Sequence, residues 1–310
     1  MHIVIPGALP PASVAGELSR VIGQQSPALV GLFERLTPRA VSLHPAQTGC
    51  TPAEYHRLKQ LGWVSDHDSR AVGALAALHA GATSADETVW IAQLCAMSIG
   101  NENVGLALPD ELEITSKAST QLIHDVLALA PPSGFTLTPI DNTLVQHAWR
   151  VVFDEPVHYL SISPRAVRGL GVTDWWPQDP STRQWRKWLN EAQMTWHNHP
   201  VNQDRGDRGL TPINGLWLYG GGSGWTPQPE DSNTLTLSHL EQPHAQGDWS
   251  AWIRALPFLD QELVKHQPIS CLSLLGDARV VELTNDSRNW WSNLFHSSKQ
   301  PWSRWWNPPA

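Results

Sequence analysis

Pro200 sets the strongest local constraint on this chain. A proline cannot continue the helical hydrogen-bond ladder, and it pushes the residue before it into extended geometry. Upstream of it, Trp185, Trp188, Leu189, Ala192 and Trp196 recur at helical spacing and make one apolar face. Arg183, Lys187, Glu191 and Asn198 lie toward the other side. The pattern predicts a helix that turns its tryptophans into a core and ends near His197 or Asn198. His199 is then projected at the helix exit.

Beyond the proline the residues become chemically demanding. Arg205 and Arg208 share a short turn with Asp204 and Asp207. Two guanidinium groups beside a histidine suit a phosphate or carboxylate, because an arginine fork can bind bidentately. A local ion-pair network with the two aspartates accounts for the same residues equally well. Leu216, Trp217 and Leu218 read as a buried strand, followed by Gly220-Gly221-Gly222-Ser223-Gly224. That run predicts a flexible loop whose backbone can approach an anion. It matches neither a Walker loop nor a GxGxxG fingerprint, so a plain turn remains the simpler reading.

Composition narrows the classes. At 310 residues the chain has room for one large domain or two modest ones. Its 41% hydrophobic and 16% charged content belongs to a folded, soluble protein. Seventeen tryptophans are present, and those from Trp149 onward make up nearly all of them, so the chain changes character near residue 140. A formal charge of −8 counts against nucleic acid and anionic membranes as partners. The tail interleaves Trp290, Trp291, Trp302, Trp305 and Trp306 with Arg288, Lys299 and Arg304. In an acidic chain this pattern is better read as packing than as stacking on single strands. Cys50, Cys95 and Cys271 are odd in number and widely spaced, which points to reduced thiols rather than a disulfide framework. The N-terminus lacks a basic leader and no apolar run approaches a membrane span, so a cytoplasmic protein is expected.

Taken in order, His2–Ile5 reads as a first strand stopped by Pro6-Gly7. Helices are expected at about Ser13–Ile22, Pro27–Leu36, from Pro52, and over Ser69–His79. The third carries a capping box, with Thr51 at the N-cap, Pro52 next and Glu54 at the third position. Asp66-His67-Asp68 could ligate a divalent metal, or cap the next helix. Val89–Met97 and Val104–Leu108 predict a strand pair, and a helix follows within Leu112–Ala130. Three β-like runs are expected at Phe135–Leu137, Leu144–Phe153 and His158–Ile162. Thr234–Leu240 should be a strand, and Asp248–Lys265 a helix kinked or broken at Pro257. Ile269–Leu275 and Ala278–Leu283 flank a tight turn and predict a hairpin.

The run Glu191, His199-Pro200-Val201-Asn202, Arg205, Gly209, Pro212, Asn214 and Trp217-Leu218 before Gly220 resembles bacterial proteins named as regulatory protein RpfE. The opening MHIVIPGA and the tryptophan-rich approach to the helix fit that family's layout, so the likeness covers most of the chain. The same stretch is more distantly similar to a segment of the archaeal-type cofactor-independent phosphoglycerate mutases, members of the alkaline-phosphatase superfamily. In those enzymes a helix leads into an HPVNxxR turn, a Pro-Ala-Asn step and an RGAG-like loop. Here Ile213-Asn214 replaces the Ala-Asn step, and Tyr219 precedes the glycines where the mutases carry an arginine. The mutases also use two metal ions and a serine nucleophile near an N-terminal Asp-Gly, an arrangement that stabilises attacking and leaving oxygens. This sequence offers no such start and no late Asp-His pair. The likeness therefore covers the accessory region, 134–225, without the metal core.

These readings converge on a mixed α/β fold with helices packed on a central, mostly β-sheet core in two lobes. The expected lobes are 1–133 and a tryptophan-rich 134–310 that contains the mutase-like segment. The expected function is a non-catalytic regulatory protein whose mutase-like segment binds a small phosphorylated or carboxylate ligand. His199, Asn202, Arg205, Arg208, Asn214, Gly220, Gly221 and Gly222 would form that site, with no metal and no cofactor. A protein partner is a further expectation. The alternative is a metal-dependent, mutase-like phosphotransferase or phosphohydrolase. Nucleophilic catalysis through Ser223 or Cys50 lacks a supporting motif, since Ser223 is not in a GxSxG elbow.

Overall fold

The computed structural model describes residues 1–65, 70–99, 104–130, 134–285 and 302–307. In chain order the first elements are β1 (His2–Leu9), α1 (Ala12–Gln25), α2 (Pro27–Arg35), β2 (Thr37–Ser42), α3 (Pro45–Thr48), α4 (Pro52–Gln60) and α5 (Ala71–Ala80). The middle of the chain supplies β3 (Thr88–Ile99), β4 (Val104–Ala107), α6 (Ser116–Leu127), β5 (Phe135–Pro139), β6 (Ala148–Phe153) and α7 (Pro164–Val167). Then follow α8 (Arg183–His197), α9 (Pro200–Asp207), β7 (Gly215–Ser223), β8 (Thr234–Thr236), α10 (Glu241–Gln246) and α11 (Trp249–Lys265). The last described elements are β9 (Cys271–Gly276), β10 (Arg279–Thr284) and α12 (Ser303–Trp306). The fold is mixed α/β, with two five-stranded sheets among the described residues.

The chain divides into two compact units, one built from 1–44 with 229–310 and one from 45–228. The expected line at 133/134 falls inside the second unit. The reason is strand pairing: β3 lies before that line, and β6 and β7 lie after it, yet both pair with β3.

In the split unit the strand order is β2-β10-β9-β1-β8, with β1 parallel to both β8 and β9. Its core joins Ile3 and Ile5 of β1 to Leu18 and Ile22 of α1, Leu29 and Phe33 of α2, and Trp252, Leu256, Leu259 and Leu263 of α11. Asp260 of α11 caps α2 from outside it, accepting from Ser26 Oγ and from the Ala28 amide, both at 2.8 Å. The first strand does not stop at Pro6. Its register breaks between Pro6 and Leu9, a bulge that takes Gly7 and Ala8 out of the ladder. Side chains answer the freed carbonyls, as buried acceptors require. The Trp252 indole donates to the Gly7 oxygen at 2.8 Å and the Trp306 indole to the Ala8 oxygen at 3.1 Å. Gly7 adopts φ 75°, and a Cβ there would lie 2.5 Å from the Leu240 oxygen.

The continuous unit is a sheet with helices on both faces. Strand β3 is central: β7 pairs antiparallel on one side, and β4 and β6 pair on the other, with β5 beyond β6. One face packs Val89, Ile91, Trp217 and Tyr219 against α4 and α5. The opposite face packs Trp90, Ala92, Leu94, Leu216 and Leu218 against α6 and α8. Burial on both faces explains why β3 reads as a nearly unbroken apolar run. Helix α8 ends at His197 and buries the five expected residues Trp185, Trp188, Leu189, Ala192 and Trp196. Two of its indoles also tie it to α6, with Trp188 donating to the Val126 oxygen and Trp196 to the Leu122 oxygen.

Several expectations need correction. The expected turn after Pro200 is the helix α9, because proline at the first helical position is preorganised for a helix and loses nothing there. Gly220–Gly222 lie on β7 rather than in a flexible loop. His158–Ile162 is not a strand, β8 stops at Thr236, and α11 continues through Pro257. Asp66, His67, Asp68, Trp290 and Trp291 lie outside the described residues.

Candidate functional site

The geometry after α8 starts from one buried histidine. His199 is the N-cap of α9, and its Nδ1 accepts the Val201 amide at 3.1 Å. A neutral ring that accepts at Nδ1 must carry its proton on Nε2. That nitrogen lies 2.9 Å from Asp125 Oδ2 on α6 and donates to it. The same carboxylate meets His124 Nδ1 at 2.9 Å. The contacts with His124 and His199 hold Asp125 below the usual carboxylate range.

Three residues further along, the buried Asn202 amide is fully engaged. Its two N–H bonds go to the Trp196 and Ile213 oxygens at 2.8 and 2.7 Å, and its oxygen accepts the Ile213 amide at 2.8 Å. Arg205 is also buried, donating through Nε to the Thr211 oxygen at 2.9 Å and through Nη2 to the Leu112 oxygen. Burial, with Arg208 nearby, lowers its pKa from the ordinary arginine value. Asn214 acts as a surrogate strand residue, accepting from the Met97 amide at 2.7 Å and donating to the Met97 oxygen at 2.8 Å. Arg208 differs from all of these. It is exposed and pairs with Asp204 at 3.3 Å.

The glycines occupy the other end of β7. From Asn214 to Gly220 the extended chain covers about 20 Å at roughly 3.3 Å per residue. The structure therefore brings His199, Asn202, Arg205 and Asn214 together around the α8–α9 junction, and leaves Gly220–Gly222 apart from them. At Gly220 the backbone meets a hydroxyl: the Gly220 amide donates to Ser161 Oγ at 3.0 Å, and Ser161 Oγ donates to the Gly220 oxygen at 2.7 Å. A Cβ on Gly222 would lie 2.6 Å from Gly73 Cα, and one on Gly221 would lie 2.7 Å from the Trp90 ring. The glycine run serves a close strand–helix contact.

A second polar cluster, not anticipated from the sequence, lies on the α4–α5 face of the same unit. His79 Nδ1 is 2.8 Å from the Tyr219 hydroxyl. Burial, reinforced by Arg165, pulls His79 down to about 4, so the ring is neutral at pH 7. Burial pushes Tyr219 well up, with Glu54 and Cys50 adding to the shift. The Glu54 carboxylate accepts the Thr51 amide at 2.8 Å and the Ser163 hydroxyl at 2.6 Å, joining the starts of α4 and α7. Burial raises Glu54 despite these bonds. Only the Thr51–Glu54 capping box among these contacts was legible in the sequence. Cys50 and Cys95 are buried, and burial raises both thiols. Among the described residues, no group of three or more His, Cys, Asp or Glu side chains is arranged to hold a metal ion. Among the same residues, no helix is long and apolar enough to cross a membrane.

No protein-family model matches the chain. No curated protein matches it either. Among solved structures it is similar to a cofactor-independent phosphoglycerate mutase from Thermoplasma acidophilum DSM 1728, at 14% identity over 92% of this chain and 91% of that one, with a TM-score of 0.35. It is also similar to the PH0037 protein from Pyrococcus horikoshii, at 11% identity over 91% of this chain and 86% of that one, with a TM-score of 0.45.

Proposed function

We propose that this chain is a non-catalytic regulatory protein, in which the 199–214 segment works as an internal clasp rather than as a reaction centre. One observation carries the reading. Both ring nitrogens of His199 and both N–H bonds and the oxygen of the Asn202 amide are bonded to the chain itself, and the Asn214 amide is tied at its oxygen and one N–H to Met97. A group that binds or transforms a ligand needs a free donor or acceptor aimed at it, and the buried His199 and Asn202 spend theirs on the chain. The remaining contact for a small phosphorylated or carboxylate ligand is Arg208, whose guanidinium is exposed at the end of α9. A cytoplasmic setting and a protein partner complete the proposal.

The test is an assay of the full chain with 3-phosphoglycerate and a phosphomonoester, in the presence of magnesium and of manganese. No isomerisation and no phosphate release above the protein-free rate is the expected result. Metal-dependent turnover abolished by Asp66→Asn or His67→Ala would overturn the non-catalytic reading in favour of a phosphotransferase or phosphohydrolase. For the ligand, calorimetric titration with 3-phosphoglycerate should give binding that Arg208→Ala removes. Equal binding by the variant would remove Arg208 from the proposal.

A further inference from the structure

We propose that the C-terminal segment 302–307 is a displaceable tryptophan plug, and that the seat beneath it in the split unit is a binding site for tryptophan-bearing peptide. The seat lies at the carboxyl end of β1, between parallel neighbours β8 and β9. Open sheets with parallel strands receive ligands just outside such ends. Here the place is taken by the chain's own tail. Trp306 is fully buried, and its indole donates to the Ala8 oxygen that the β1 bulge frees. Arg279 of β10 donates to two consecutive tail carbonyls, Trp305 at 2.9 Å through Nη1 and Trp306 at 2.6 Å through Nη2. Phe33 of α2 receives the other two rings, with centroids 5.5 Å from Trp302 and 5.1 Å from Trp305.

This is how a peptide ligand is held: aromatic anchors in a pocket, a guanidinium on the backbone, and no place in the sheet. The described tail is a single helical turn whose backbone amides bond within the segment, Trp306 to the Trp302 oxygen and Asn307 to the Ser303 oxygen. Its seating is also imperfect. Asn307 Oδ1 is buried and meets no partner among the described residues, so release returns an unsatisfied acceptor to water. The seat left behind would present a buried carbonyl at Ala8, an aromatic face at Phe33 and a free guanidinium at Arg279. An indole attached to a peptide backbone meets all three.

The experiment compares the full chain with a chain ending at Pro301, using the synthetic hexapeptide Trp-Ser-Arg-Trp-Trp-Asn as probe. The truncated chain should bind the peptide at least tenfold more tightly than the full chain does. Arg279→Ala in the truncated background, or the Trp306→Leu peptide, should each weaken binding at least tenfold. Equal binding by both chains, or no binding by a truncated chain that keeps its circular dichroism, would overturn the proposal. Hydrogen exchange on the full chain decides the case even when truncation prevents folding. The Trp306 and Asn307 amides should exchange at least tenfold faster than those of β9 and β10, and exchange at the same rate as those strands overturns the plug.

Discussion

At the scale of single residues, the polar side chains around α9 act on the backbone. Asn202 alone satisfies two carbonyls and one amide near the end of α8. Asn202→Ala leaves the buried Ile213 amide and carbonyl unpaired, while the Trp196 oxygen keeps the His199 amide, and should cost about 2 kcal/mol or more, since each orphaned group costs roughly 1–3 kcal/mol. Arg208→Ala, at an exposed pair, should change stability by less than about 0.5 kcal/mol. Urea unfolding of the two variants beside the parent checks both, and similar losses would contradict the clasp. Sequence reasoning picked these residues out for a ligand, and the bonds they make are to the chain itself. Histidine, asparagine and arginine look alike whether they face a ligand or a carbonyl. The deciding contacts are distant: Asp125 is 74 positions from His199, and Leu112 is 93 from Arg205. The Thr51–Glu54 box was legible because its partners are three positions apart.

At the scale of elements, periodicity served well wherever one face is buried. The five apolar positions of α8 are the five that α8 buries, and the β9–β10 hairpin falls where its turn predicted. It failed where chemistry replaces periodicity. A glycine triplet reads as a loop, yet Gly220–Gly222 extend β7, where α5 lies too close to Gly220 and Gly222 for side chains and the Trp90 ring too close to Gly221. Gly222→Ala places a methyl against Gly73 backbone, and overpacking of this kind costs typically about 1–3 kcal/mol. Its melting temperature should fall by several degrees. A melt unchanged from the parent would show that α5 and β7 yield without cost. His158–Ile162 has the residues of a strand, but Ser161 closes the β7 edge with a hydroxyl instead of a ladder.

At the scale of the whole molecule, the mixed α/β class was legible and the division of the chain was not. Composition shifts near residue 140, whereas the units part at 44/45 and 228/229, the second within the proline-bearing polar run that follows Gly224. A fragment spanning 45–228 should fold alone, giving α/β circular dichroism and one cooperative melt, and an unfolded fragment would show that the unit depends on the rest. The same unit should be sensitive to acid. His79 falls from an ordinary 6.5 to about 4 on folding. A lowered histidine contributes stability above pH 6.5 that is lost as pH falls through about 4. Glu54 has the opposite sign: its raised carboxyl contributes fully below its ordinary 4.5, and that contribution fades as pH rises through its folded value. Denaturation midpoints at pH 7, 5.5 and 4.5 should decline more steeply for the parent than for His79→Gln, and parallel curves would contradict the assignment.

The split unit also carries a cost in time. Its first strand, HIVIPGAL, has its earliest sheet partner at Thr234 and its main one at Cys271. At synthesis rates of about 5–20 residues per second, that strand waits on the order of ten to fifty seconds for a neighbour. Throughout that interval the continuous unit can fold on the ribosome while the apolar β1 segment has no partner in its sheet. The register of β1 thus makes the sheet of the split unit wait for β8 and β9, and His2–Leu9 is the segment that needs shelter until they arrive.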